Sequence, residues 1–368
     1  MQKDVALRFE DMIDVKCFTS EWIAQKAEEY HYSDRNLIEK VIRALSLLDM
    51  LAASGCPFHF KGGSCLMLLL AGDRHRLSID IDIMCPPGTD IEAYLTDYTK
   101  SGFLEYKLIE RRQTMANVPK THSKFFYQVS FKNDSDERSF ILLDVLYEDC
   151  HYIETKTIPI VGDFIETVGE PLMVKVPSVN DILGDKLTAF APDTTGIPYF
   201  KNGDLKTLEI IKQLYDIGRL FEHADNLSVT TDAFRKIAVV ELGYRGMSTD
   251  LSPIFEDIRQ TALNIATRGK VDQDKFTLLQ SGIKSISPFI FKGKYHIEDA
   301  IADSAKAAYL ATLIEMGATT LAKYTGDLAA LSSMNIGKCL NPKLNKLKLG
   351  NPEAFFYWAK VDELLWMA

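Results

Sequence analysis

The chain has 368 residues, of which 46% are hydrophobic, 10% aromatic and 25% charged. It is longer than one core usually supports, since single cores stop growing near ~250–300 residues, and too apolar to be disordered. Forty-two Lys plus Arg against 51 Asp plus Glu leave a net charge of −9, which excludes a protein coating nucleic acid by global positive charge.

In chain order, Met1-Gln2-Lys3-Asp4 opens on mixed charges rather than on an apolar secretory segment. The first ~55 residues read as helical. Ser33 is a candidate N-cap, and Leu37, Val41, Ile42, Ala44, Leu45, Leu48 and Leu51 follow at helical spacing until Gly55 and Pro57. From Phe58 the pattern changes to short strands and turns. Leu77 to Met84 alternates, Tyr106 to Arg111 reads as a strand, and Lys124 to Lys132 and Phe140 to Tyr147 read so more clearly. Asp90 to Tyr98 is expected to be a helix against the sheet, with two short strands at 156–161 and 171–176. Past Pro177 the helical period returns. Helices are expected from Ser178 through the Ile182, Leu183, Leu187 run, over 205–221, and then over 229–242, 250–266, 297–315, 317–332 and 352–367. The fold class is therefore α+β, with a mixed sheet and flanking helices over 1–177 and a helical domain over 178–368. No run of ~18 apolar residues predicts a membrane span. Six scattered cysteines, Cys17, Cys56, Cys65, Cys85, Cys150 and Cys339, form no zinc spacing and suit reduced thiols in a cytoplasmic protein.

Three local patterns carry chemistry. In Leu77-Ser78-Ile79-Asp80-Ile81-Asp82-Ile83, alternation puts Ser78, Asp80 and Asp82 on one face and the aliphatic residues on the other. Paired carboxylates suit a hard cation such as Mg²⁺ with substrate phosphates, although alternation alone serves a merely wet face equally well. Phe60-Lys61-Gly62-Gly63-Ser64 precedes an apolar helix, so the glycines allow close approach and the helix start offers N–H groups to an anion. It is not a Walker loop, and by itself reads better as an ordinary strand-to-helix turn. Asp144, in the apolar run Phe140 to Tyr147, needs a partner, a metal or a wet edge.

Taken in order, these residues resemble the DNA polymerase β-type nucleotidyltransferases, and more narrowly the AbiEii/AbiGii nucleotidyltransferase toxins of toxin–antitoxin and phage-defence systems. Lys61-Gly62-Gly63-Ser64 with Leu66 resembles the first family motif. Arg76, Ser78, Asp80, Ile81 and Asp82 match the second, Asp181 to Ala189 the third, and Leu214-Tyr215-Asp216-Ile217 the fourth. Cys65 follows Ser64 where the family often has a second hydroxyl, and Lys212-Gln213 stands where Lys or Arg with Asp is common.

The resemblance implies an Mg-dependent transferase using an NTP. Asp80, Asp82 and Asp144 would hold two Mg²⁺ ions, while Lys61, Gly62, Gly63, Ser64, Ser78 and Lys186 would bind the nucleotide. Lys186 and Asp216 would act with the carboxylates in catalysis. It further implies a tRNA 3′ end as acceptor, inhibition of translation, a cognate antitoxin protein and a helical domain that completes the nucleotide site. The rivals are transfer to a small molecule or protein hydroxyl, and a non-catalytic partner-binding protein. Taken alone, Lys186 and Asp216 read as ordinary helix charges. The basic stretches Arg74-His75-Arg76, Arg111-Arg112 with Lys120, His122 and Lys124, and Lys343, Lys346 and Lys348 are the places expected to touch an RNA backbone. Phe355 to Trp358 and Trp366 read as a buried helix before a stacking surface.

Overall fold

A computed structural model of the chain describes residues 12–72, 75–109, 118–131 and 137–367. Arg74, Arg111, Arg112 and Lys132 lie outside the described residues. The chain divides into two compact units, Met1–Ser178 and Val179–Ala368.

Unit 1 begins with α1 (Ser20–Glu29) and α2 (Arg35–Ala53). Asp34, not Ser33, caps α2 by accepting from Leu37 N at 3.1 Å. A carboxylate there also meets the positive end of the helix. Helix α2 is buried on nearly every side, and its polar residues have partners: Glu39 accepts from Ser130 Oγ at 2.6 Å and pairs with Arg43 at 3.5 Å. Next come β1 (His59–Lys61), α3 (Gly62–Leu69), β2 (His75–Arg76) and β3 (Ile81–Cys85). They are followed by β4 (Glu105–Ile109), β5 (Lys120–Gln128) and β6 (Arg138–Tyr147). Five of these strands form one mixed sheet in the order β1-β3-β6-β5-β4, with only β3 and β6 parallel. Alternation sorts the side chains. Ile81, Ile83, Phe125, Tyr127, Ile141, Leu143 and Val145 are buried on the face covered by α2, while Asp82, Lys124, Leu142 and Asp144 alternate with them and are half-buried. A separate antiparallel pair, β7 (Thr155–Pro159) and β8 (Met173–Pro177), closes the unit.

Unit 2 contains α4 (Val179–Ala189), α5 (Thr207–His223), α6 (Leu227–Tyr244), α7 (Ser252–Ala266), α8 (Gln273–Ser285), α9 (Ile297–Glu315), α10 (Leu347–Gly350) and α11 (Pro352–Met367). Helix α9 is its centre. Every residue from Ala300 to Ile314 is buried, and six alanines in that span let α5, α7 and α11 pack close.

Several expectations are corrected. The alternating run is a ladder only from Ile81, so Asp80 sits in the extended segment just before β3. Residues 90–98 hold only a 3₁₀ turn at Ile91–Tyr94. Residues 317–332 are not a helix: no N-cap pattern opens the segment, and Gly317 and Gly326 both take positive φ. Helix α8 and the hairpin Phe200–Lys201 with Asp204–Leu205 were not foreseen. Phe355, Tyr357 and Trp358 are core, while Trp366 is exposed. The six cysteines are free thiols. Among the described residues no helix is long and apolar enough to cross a membrane.

Candidate active site

The turn from β1 into α3 is where unit 1 concentrates its chemistry. Gly62 has φ +77°, and a Cβ there would strike the Asp82 carboxylate. At Gly63 a Cβ would meet the Arg76 guanidinium and the Ser78 hydroxyl. Two side-chain-free residues thus let the turn lie directly against the acidic segment. Ser64 is fully buried, and its Oγ donates to the Asp80 carbonyl at 2.5 Å. That bond ties the start of α3 to the backbone carrying Asp80.

Across the sheet, register does the assembling. Lys61 on β1 faces Asp82 on β3, Asp82 faces Asp144 on β6, and Asp144 faces His122 on β5. The two carboxylates therefore share one row and one face, with a cationic residue on either side. Asp144 is held closely: His122 Nδ1 lies 2.5 Å from its Oδ1 and Lys120 Nζ 2.7 Å from its Oδ2. Burial works to raise its pKa, but the His122 hydrogen bond and the Lys120 ammonium outweigh that and keep it below the ordinary carboxylate value. In the sequence Lys120 and His122 stand out only as part of a basic stretch. Their period-two spacing on a strand facing Asp144 was the signal for their role. Arg76, which matches the second motif and was also expected in a basic stretch touching RNA, is buried against Gly63 rather than exposed.

The oxygen donors of Asp80, Asp82 and Asp144 suit a hard cation. Among the described residues no three His, Cys, Asp or Glu side chains already converge as a metal cage.

In unit 2, the third and fourth motifs meet as a buried polar group. Lys186 on α4 pairs with Asp216 Oδ2 on α5 at 3.0 Å and donates to Gln213 Oε1 at 2.9 Å. Both Lys186 and Asp216 are almost wholly buried, so neither is the helix-surface charge that its local sequence allowed. Gln213 is the residue that sequence reasoning passed over. Its place in the fourth motif, where the family commonly has a charged residue, was the available clue.

A search of curated proteins finds no match to the chain. The family model described as "Nucleotidyl transferase AbiEii toxin, Type IV TA system" matches residues 43–292, a span that runs from α2 through the acidic row and the Lys186–Asp216 pair to the end of α8 and just beyond. With carboxylates in register beside a Gly-Gly turn and a match over more than half its length, the chain belongs to the AbiEii family of nucleotidyltransferase toxins from type IV toxin–antitoxin systems.

Proposed function

We propose that the protein transfers a nucleoside monophosphate from an NTP to an acceptor hydroxyl, and that the acceptor is the 3′ end of a tRNA. The observation that carries this reading is the row Lys61, Asp82, Asp144, His122 laid against the Gly62-Gly63 turn. It brings acidic oxygens beside backbone N–H groups at a helix start, one set suited to cations and the other to phosphate.

In this mechanism the acceptor oxygen attacks the α-phosphorus, the bond from that phosphorus to the α,β-bridging oxygen breaks, and pyrophosphate leaves. Asp80 and Asp82, with Asp144, would hold two Mg²⁺ ions, which when bound neutralise the triphosphate and favour loss of the hydroxyl proton. Asp144 is kept ionised by Lys120 and His122, so it can orient the attacking hydroxyl and receive its proton. Lys61 offsets the repulsion between the carboxylates. The backbone of Gly63 and Ser64 holds phosphate oxygens at the start of α3, with Ser78 beside Gly63 lining the same turn. Lys186 pairs with Asp216 and donates to Gln213, which fixes its ammonium within unit 2. Most of the rate then comes from positioning and charge neutralisation. Membership in a type IV system implies a cognate antitoxin, and loss of usable tRNA would halt translation.

The test is to incubate the protein with each α-labelled NTP, Mg²⁺ and total RNA or total protein, with Asp82→Asn as control. Label in the tRNA fraction, absent in the control, is expected. Label confined to protein or small molecules would replace the acceptor, and no incorporation from any NTP would reject the activity.

A further inference from the structure

The face of the sheet that carries Asp82 and Asp144 does not end with them. Because β4, β5 and β6 are in register, the side chains two and four residues beyond the Asp144–His122 pair stand in rows on the same face. The first row is Leu142, Lys124 and Lys107, and the second is Phe140, Phe126 and Glu105. The opposite side chains of these strands, Phe125, Tyr127 and Ile141, are the buried ones. Phe140 is 36% exposed although it is a large hydrophobe on a central-strand pair. Lys124 Nζ sits 4.2 Å from the centre of the Phe140 ring, and Lys107 Nζ 5.2 Å from that of Phe126. The two rings are 5.8 Å apart, and tilted at 56°. Arg138 extends the patch beyond Gln128 and meets Glu105 at 3.7 Å. Among the described residues of these two rows and Arg138, the cations Lys107, Lys124 and Arg138 stand with one carboxylate, Glu105, which also meets Lys107 at 3.4 Å, on a chain of net charge −9.

We infer that this patch is a binding platform for the single-stranded 3′ segment of an RNA acceptor. The inference rests on the proposed nucleotidyl transfer for what happens at the end of that segment. The exposed Phe140 ring beside the half-buried Phe126, flanked by lysines, is suited to unstacked bases and their phosphates, because every base offers a π-face and each phosphate a charge. Two rows along a strand span about 13 Å, so a strand stacked on Phe140 and Phe126 reaches the Asp82–Asp144 row with its last nucleotides. A duplex keeps its bases stacked inside and cannot use the rings. The patch accordingly selects a frayed or overhanging end and points it at the carboxylates.

The experiment uses the full chain and a 5′-fluorescein single-stranded RNA of 12 nucleotides, followed by anisotropy at several salt concentrations without NTP. Lys107→Glu with Lys124→Glu should weaken binding more than tenfold and make the log–log salt slope shallower by about 1.4, at ~0.7 per single-strand phosphate. Phe140→Ala should weaken binding about fivefold or more at every salt with the slope unchanged, and Phe140→Trp should restore it. Equal binding by all variants, or a blunt duplex bound as tightly as the single strand, would overturn the platform. So would poly-glutamate bound as tightly as RNA with the same losses, which would mark the face as a site for an acidic protein. A parallel NTP titration reads the proposed activity separately. It should be unchanged in these variants, and a wild type that binds RNA here but no NTP would break the activity while upholding the platform.

Discussion

Each unit contains a carboxylate held by two basic side chains, and the two arrangements behave oppositely. Asp144 in unit 1 lies at the open sheet face with a side chain 19% exposed, between Lys120 and His122. Asp303 on α9 of unit 2 is sealed, meeting Arg219 at 3.0 Å and Lys306 at 3.7 Å. Lys306 in turn reaches Glu222 at 2.6 Å and Glu353 at 2.9 Å, so the network joins α5, α9 and α11. The local cations dominate at Asp144 and its pKa falls; burial dominates at Asp303 and its pKa rises. A carboxylate that stays ionised and reachable can exchange its partners for a ligand. One enclosed with its counter-ions can only hold helices together. Ion pairing alone therefore says little about function, and access decides.

The contrast breaks first on activity. Asp82→Asn leaves the row's shape but removes one charge, and should lower nucleotide incorporation about a thousandfold, ~4 kcal/mol of transition-state stabilisation. Its thermal midpoint should move little. Full activity in a folded Asp82→Asn protein would remove the metal role from the row. Asp303→Ala should do the reverse. It leaves Arg219 without its buried carboxylate, while Lys306 keeps Glu222 and Glu353, and should cost ~3–5 kcal/mol in denaturant unfolding, whereas Asp144→Asn should stay within ~1 kcal/mol because its partners reach solvent. Comparable stability losses in the two variants would erase the distinction.

Unit 1 also has a sealed carboxylate, which sharpens the comparison through pH. Asp49 on α2 is fully buried, accepts from Ile13 N at 3.0 Å through Oδ2, and has no partner for Oδ1 among the described residues. Burial pushes its pKa up to about 7. The folded protein therefore binds a proton that the unfolded chain releases near pH 4, and stability is lost as pH rises from about 4 to 7. A rise from 3.8 to about 7 is worth ~4 kcal/mol at 1.36 kcal/mol per unit. Asp144 has the opposite sign. Its contribution is present above the unfolded value and is lost as pH falls through its lowered one. Unfolding at pH 4, 5.5 and 7 should show the decline in wild type and a flatter profile in Asp49→Asn. An unchanged slope would assign the decline to other groups.

Much of this was legible in the sequence because it is periodic or local. The α2 stripe, the alternation around Asp80 and Asp82 and the helical second half all follow from spacing of 3.6 or 2. Helices 297–315 and 352–367 were read to the residue. What was hidden depends on register and burial, which no local window contains. That Asp144 sits beside Asp82 needs the parallel pairing of strands some 60 residues apart. That Lys186 and Asp216 form a buried pair needs α4 laid on α5. Glu39, Arg43 and Asp49 interrupt the apolar stripe of α2, so its burial on every side was not visible as a hydrophobic run. The 317–332 segment misled in the other sense: its apolar residues fall at chance helical spacing, and of the whole segment only Leu331 is buried.

The smallest expected effect is also the one that asks most narrowly whether a polar group serves ligand or frame. From sequence, Ser64 reads as a hydroxyl for phosphate. In the structure it is fully buried and its single proton is donated to the Asp80 carbonyl. A phosphate oxygen needs a donor, and a hydroxyl with its proton spent offers only lone pairs. The donors left for phosphate are the backbone N–H groups at the start of α3, which a substitution at Ser64 does not remove. Ser64→Ala should therefore cost ~1 kcal/mol of stability, the net value of one hydrogen bond. It should lower kcat by loosening the segment that carries Asp80, and leave NTP affinity within about threefold, under 1 kcal/mol. Calorimetric titration of a non-hydrolysable NTP alongside single-turnover rates separates the two quantities. A tenfold weaker NTP affinity with normal kcat would return Ser64 to the phosphate.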